Sequence, residues 1–285
     1  MIRSLPNTRG YAFSYNLFII LYFVFLFAPL AVTCVLAFNN SDFPSLPWQG
    51  FSLDWFFADG PSRIGIFHDE ENLRSIWTSF ETAFCVSILS VIVGTCAAFL
   101  FEQEEFPFKG ALYFLMLAPL VIPGVILGIS ILLAANSAGT FVEDATGFDV
   151  SFLRPSFWLV VLGQFSFITT FVALVVSARL KKFDRSLEEA ALNLGATRLE
   201  TIWYVTLRFL RPSIIGAGAV AFLMSFENFN TTLFLVGSKP TLPINLYLQV
   251  RDGSTPVINA ISFLLIVGTS CLALVNLYFN KKEAD

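Results

Sequence analysis

Hydrophobic residues in this chain follow neither the period of two of a half-buried strand nor the narrow stripe of a surface helix. They come in long runs separated by short polar stretches. Six runs, at about residues 18–38, 76–100, 111–135, 158–180, 214–236 and 258–279, reach the roughly 20 residues that carry a helix across about 30 Å of hydrocarbon. A helix in lipid satisfies its own backbone, so the pattern predicts an all-α membrane protein with six transmembrane helices. The first run follows basic residues, as in a signal peptide, but is too long for the apolar part of one and reads as a retained span. The fourth and fifth runs are separated by a charged segment with a strong helical signal of its own, SLEEAALNLG at 186–195. A capping box of Ser186 and Glu189 is predicted to open it, and Gly195 to close it in left-handed geometry. A second box, Thr197 with Glu200, then starts a new helix. Leu187, Ala190, Ala191 and Leu194 fall at i, i+3, i+4 and i+7, a narrow face with two small residues at its centre, shaped to dock into a partner's groove.

Composition strengthens the membrane assignment: 56% of residues are hydrophobic and 13% charged, with a mean hydropathy of +0.73. The net charge of -4 and the lack of a basic cluster with interleaved aromatics argue against nucleic acid as a partner. Cys34, Cys85, Cys96 and Cys271 all lie within apolar runs, without metal-ligand spacing, and read as small buried hydrophobes. His68 is a lone loop residue. No cofactor is implied, and no G-x-x-x-x-G-K-[ST] phosphate loop is present, so the chain itself is not expected to hydrolyse ATP.

Orientation follows from the basic residues. With the N-terminus inside, the inner side collects twelve of the 17 Lys and Arg: Arg3, Arg9, Lys109, seven residues between Arg179 and Arg211, Lys281 and Lys282. Both termini and the 186–200 helix pair are then expected in the cytoplasm. No internal repeat is evident. The chain reads as an N-terminal span with its outer loop, residues 1–74, followed by a transmembrane core at 75–285.

Within the runs, ionisable residues cost at least about 3 kcal/mol at mid-bilayer and usually face the bundle interior. At 1.5 Å per residue, Glu81 is placed roughly 9 Å and Glu227 roughly 13 Å below the outer edge. Gln164 reaches a similar depth, and Asn228, Asn230, Thr231 and Thr232 extend the polar stretch of run five. A polar cavity opening outward accounts for them together. Glu81 has a second reading, as a residue hydrated near the interface or paired with a neighbouring span. Pro119, Pro123, Gly124 and Gly128 predict a kink in run three, either a hinge or a place of close packing against run five.

EAALNLGA at 189–196, followed by Val205, Thr206 and Leu207, resembles the EAA loop of permease subunits in binding-protein-dependent ABC importers. FNNSDF, WQGFSLDWF, FDRSLEEAALNLGAT, LMSFENFNTTLF, TLPINLY and VRDGSTPVINA extend the likeness over nearly the whole chain, toward the second permease of spermidine/putrescine importers. The resemblance implies a type I, methionine-importer-like permease fold with its EAA loop at about 184–212. It makes the short helix a coupling helix gripped by an ATPase subunit, with Glu189, Ala190, Ala191 and Gly195 as its residues. Glu227, Asn228, Asn230, Glu81 and Gln164 become candidates for the substrate pathway. The implied partners are an ATPase dimer, a second permease forming a heterodimer, a periplasmic binding protein and the lipid of a bacterial inner membrane. The implied cargo is a polyamine, with phosphonate, ferric ion, thiamine or sulfate as alternatives. Arg208 stands where the family pattern usually ends in proline, with Pro212 four residues on, which bears on the turn into run five. A secondary carrier would explain the intramembrane acids, but not the capped helix pair, and no inverted repeat supports it. A membrane enzyme or scaffold would need a catalytic constellation that the sequence lacks.

Overall fold

Long apolar runs that must bond their own backbone fold as helices, and most of the residues that the computed structural model describes, 9–61, 63–253 and 255–282, are helical. Side chains are described from Gly10 to Cys271, so Arg3 and the side chains of Arg9, Lys281 and Lys282 lie outside them. Eleven helices are described: α1 (Arg9–Leu36), α2 (Asp54–Phe57), α3 (Glu70–Gln103), α4 (Lys109–Val121), α5 (Gly124–Thr146), α6 (Phe157–Leu180), α7 (Ser186–Asn193), α8 (Arg198–Thr201), α9 (Leu207–Phe226), α10 (Leu242–Gly253) and α11 (Val257–Lys282). Among the described residues, five helical stretches are long and apolar enough to cross a membrane: Gly10–Leu36, Glu70–Gln103, Gly124–Thr146, Phe157–Leu180 and Arg198–Phe226. The apolar part of α11, Val257–Cys271, supplies the sixth expected run.

The contacts divide the chain into two compact units, residues 1–73 with 248–285, and residues 74–247. The last helix therefore groups with the first, where the sequence had placed everything after residue 74 in one core. In the first unit α1 packs on α11. The ring of Phe38 meets Phe51, Phe56 and Phe263 at centroid distances of 5.4, 5.3 and 4.9 Å. Asn39 organises the loop below. Its side chain donates to the carbonyls of Ser45 and Pro47 and accepts from the Gln49 amide at 2.7 Å, while its carbonyl accepts from the Trp55 indole at 2.9 Å. Arg63 bridges Asp42 and Asp54 and lies over the Trp55 ring. The FNNSDF and LDWF motifs are thus a self-contained knot.

The second unit is built around α6, which is apolar all round and so belongs at the centre of a bundle. Its Val161, Ile168, Val172, Val176 and Leu180 form one buried cluster with Val86 and Ala98 of α3 and Leu210, Ala217 and Ala221 of α9. Two serines buried along α3 bond to other elements. Ser90 pairs with Thr169 of α6 at 3.2 Å, and Ser79 accepts the amide of Leu242 at 2.8 Å, fixing the start of α10.

Two departures from the six-run reading matter. Run three is two helices rather than one kinked span, because Pro123 has no amide to continue the ladder and Ile122 turns extended, with ψ 129. Run five begins earlier and ends earlier than its hydropathy indicated. The helix starts at Arg198, passes through a π turn at Ile202–Thr206, crosses Arg208 and Pro212 without a break, and stops at Phe226. Arg208 therefore disturbs nothing at the entry to this span. The polar residues 227–231 lie in a turn, followed by a 3-10 turn at Thr232–Phe234.

The two departures meet. A Cβ built on Gly128 would stand 2.6 Å from the Thr231 carbonyl oxygen, and one on Gly124 3.0 Å from the Asn230 Cβ. The glycine pair of run three serves close packing, and what it packs on is the turn after α9. Gly128→Ala should cost the isolated permease about 1–3 kcal/mol by overpacking, read as a lower thermal midpoint. Gly216→Ala, whose Cβ meets nothing within 4 Å, should leave the midpoint unchanged or raise it.

Candidate functional site: the EAA loop and the break after α9

The charged loop is ordered from both ends. The Asp184 carboxylate accepts the Ser186 amide at 3.0 Å, and the Glu189 amide bonds to the Arg185 carbonyl at 3.2 Å. The expected Ser186–Glu189 capping box does not form: Ser186 is already inside the helix, and Asp184, two residues earlier, supplies the side-chain acceptor. The helix ends as expected. Gly195 takes φ +94, its amide bonds to the Leu192 carbonyl, and the Ala196 amide reaches the Ala191 carbonyl, a Schellman closure. The second box is complete, with Thr197 N–H donating to Glu200 Oε2 at 2.8 Å and Glu200 N–H to Thr197 Oγ1 at 3.3 Å.

Residues that the sequence reading passed over tie this loop to the bundle. Arg185 donates to the Glu102 carbonyl at the end of α3 at 3.0 Å. Glu188 Oε1 accepts from the Thr206 hydroxyl and, at 3.5 Å, from Gln103. One carboxylate thereby joins α7, α3 and the π turn leading into α9. The adjacent acids of SLEE hold the signal: two neighbours on a short helix face different ways, so one turns inward while Glu189 remains exposed. On the outer face Leu187 is 51% and Leu194 89% exposed, Ala190 is exposed, and Ala191 is half-buried.

Both capping carboxylates ionise more readily than usual. The Ser186 amide, then its hydroxyl, holds Asp184 below its ordinary 3.8, and the Thr197 amide, then its hydroxyl, holds Glu200 below 4.5. A depressed folded-state value stabilises above the unfolded value and is lost as the pH falls through the folded one.

At the other site, Gln164 is 0% exposed. Its Nε2 donates to Thr232 Oγ1 at 2.8 Å, and its Oε1 accepts from the Ser225 hydroxyl. Asn228 Oδ1 accepts from the Thr232 amide at 3.3 Å and its hydroxyl at 3.0 Å. Gln164, Ser225, Asn228 and Thr232 thus form a closed lock across the end of α9. Glu227 and Asn230 are exposed beside it. Glu81, also exposed, accepts the indole N–H of Trp77, one turn away on its own helix, at 2.7 Å. The two acids border a run of rings: Trp77 on Phe80, Phe80 on Phe84 and on Phe222 at 5.6 Å, and Phe222 on Phe226, the neighbour of Glu227.

A polytopic helical bundle with a capped loop helix projecting between two spans defines a membrane permease of the type I importer class. Residues 88–283 match the family of binding-protein-dependent transport system inner membrane components, and the chain belongs to that family. It is 31% identical over 262 residues, 91% of this chain and 88% of the relative, to the putrescine transport system permease protein PotI of Escherichia coli (strain K12). It is 24% identical over 269 residues, 94% of this chain and 96% of the relative, to the spermidine/putrescine transport system permease protein PotC of Haemophilus influenzae. A bacterial ABC transporter for import of the acidic polysaccharide alginate has a chain with the same fold, at a TM-score of 0.73 and 18% identity over 95% of this chain and 94% of that one.

Two outcomes follow from the geometry. Gln164→Leu leaves the Ser225 hydroxyl buried without its amide partner, at about 1–3 kcal/mol, while Thr232 keeps its bond to Asn228; the loss is measurable by thermal unfolding. The protection factors of amides at 186–201, observed exchange corrected for the intrinsic rate at each pH, should be full above pH 4.5 and decline as the pH falls below it; Thr197→Ala should remove that decline at 198–201.

Proposed function

We propose that this chain is the transmembrane subunit that moves a polyamine from a periplasmic binding protein into the cytoplasm, with both termini inside and with ATP hydrolysed by a separate ATPase dimer. A second permease completes the pathway as a heterodimer. The observation that carries the coupling role is the construction of α7. Its apolar outer face is uncovered, while its inner face is fastened to α3 and to the π turn by Arg185 and Glu188. A nucleotide biases a conformational equilibrium only through differential affinity for the two states, so the element that transmits the bias must be stiff. In this assignment Glu189, Ala190 and Ala191 meet the ATPase, and Gly195 ends the helix so that α8 can turn directly into the fifth span.

Substrate passes along the exposed acids. Glu227 and Asn230 stand at the break after α9, with Glu81 across the aromatic run, while Gln164 and Asn228 hold that break in shape. Two carboxylates beside exposed ring faces suit an ammonium-bearing, partly aliphatic solute, through charge and cation–π attraction. The polyamine permeases among the relatives support the same choice.

Glu227→Gln should weaken apparent putrescine or spermidine stimulation of ATPase activity by ten- to a hundredfold, the scale of a charged hydrogen bond, while the complex still assembles. Unchanged stimulation would remove Glu227 from the pathway. Changing Glu189 to Lys together with Gly195 to Ala should release the ATPase from the membrane, since a side chain at the left-handed position alone costs about 1–2 kcal/mol. A fully active complex carrying both changes would end the coupling assignment.

A further inference from the structure

The helix running from Arg198 through the π turn to Phe226 has two unlike faces. Thr201, Thr206, Leu210, Ala217 and Ala221 are buried against the rest of the bundle. On the opposite side Trp203 is 68% and Tyr204 69% exposed, and Arg208, Arg211 and Ile215 are exposed with them. Trp203, Tyr204, Leu207, Arg208, Arg211 and Ile215 line a groove of about 550 Å³. The π turn brings the two aromatic rings onto the same face as the two arginines below them.

Arg208 and Arg211 lie at i, i+3, a spacing that places like charges side by side at a cost. Neither makes an ion pair among the described residues. The nearest acid in sequence, Glu200, is committed to its capping box. Two adjacent unpaired guanidiniums between a Trp–Tyr pair and an apolar span call for an anion at the level of a membrane interface. Aromatic residues settle at that level, guanidinium forks match phosphate oxygens, and the cytoplasmic leaflet carries the anionic lipids. The same pair would repel an ammonium-bearing solute, which places the groove off the transport path.

We infer that this groove holds the headgroup of an anionic phospholipid of the inner leaflet, its phosphate between Arg208 and Arg211 and an acyl chain along Leu207 and Ile215. The inference rests on the orientation proposed above, with the EAA loop in the cytoplasm.

The complete importer, with its ATPase and second permease, is reconstituted in nanodiscs of phosphatidylcholine mixed with phosphatidylglycerol, and retained lipid is read by native mass spectrometry. The wild-type complex should hold phosphatidylglycerol in preference to phosphatidylcholine, and added inorganic phosphate should not displace it. Arg208→Gln with Arg211→Gln should weaken retention roughly thirtyfold, at about 1 kcal/mol for each charge near the surface, whereas the double Lys variant should retain most of it. Equal retention by the wild type and the double Gln variant overturns the inference. A photocrosslinker in place of Tyr204 tests the same groove without relying on the Arg variants: adducts to lipid support the inference, and adducts confined to the second permease overturn it. Labelling of Leu194→Cys from the cytoplasmic side, in the permease before the ATPase is added, reports orientation separately, so failure of that premise is distinguishable from absence of a lipid site.

Discussion

In hydrocarbon no water is available for a freed amide or carbonyl, and each one left unpaired costs several kcal/mol. This constraint governs the second unit, because its helices break twice within runs whose hydropathy is that of a membrane span. The chain places one break against the other. The first turns of α5 lie on the backbone of residues 230–231, with glycines at the two points of closest approach. The end of α9 is closed by Gln164 from α6, which makes a bond with each of its polar atoms. Ser225 and Thr232, on either side of the turn, are joined through one amide side chain, and Asn228 pairs within the turn itself. The second interruption is therefore bonded within the protein, the condition under which irregular backbone is tolerated at membrane depth, whereas Val121, Ile122 and Pro123 at the first are exposed.

The same economy explains how the short loop helix becomes a rigid part of a long one. α7 has only eight residues, too few to be stable alone in water. Its order comes from its ends, with the Asp184 cap before it and the Schellman closure after it, and from Glu188, which joins three elements through one carboxylate. The π turn lies where that anchoring occurs, since Thr206, its last residue, is the donor to Glu188. On the proposed coupling role, a displacement of α7 would be passed to the foot of α9, whose far end carries the break with Glu227. On the proposed docking of α7, the motor and the solute act on opposite ends of a single helix.

Much of this was legible in sequence because membrane helices and glycine-terminated caps leave local signals. The six runs, the Gly195 closure and the Thr197–Glu200 box all depend on residues near each other in the chain. What escaped depends on long-range partners. Hydropathy averages over a window, so it carried run five through residues 227–231, although the break there is set by Gln164, more than 60 positions earlier. The first capping box was misplaced because Asp184 and Ser186 both suit the role, and the tie between Arg185 and the end of α3 belongs to tertiary structure. The sequence alternatives for run three, hinge or packing, are informed by the position of Thr231, which no local pattern encodes.

Polar residues within the apolar runs looked alike in sequence, and the structure separates them by whether their bonding is complete. Gln164, Asn228, Thr232 and Ser90 are bonded within the bundle, so a solute would gain contact with them only by breaking bonds that hold the fold. Glu227 and Asn230 are exposed, with no side-chain hydrogen bond or ion pair among the described residues, and Glu81 is bonded only to the exposed indole one turn before it. An ionised carboxylate left unsatisfied in an apolar run is costly in lipid, and this cost falls only if water, a partner chain or a cation meets it. The retained cost marks Glu227, rather than the buried amides, as the feature for which the fold offers no internal explanation. It is also the feature that a positively charged solute would explain.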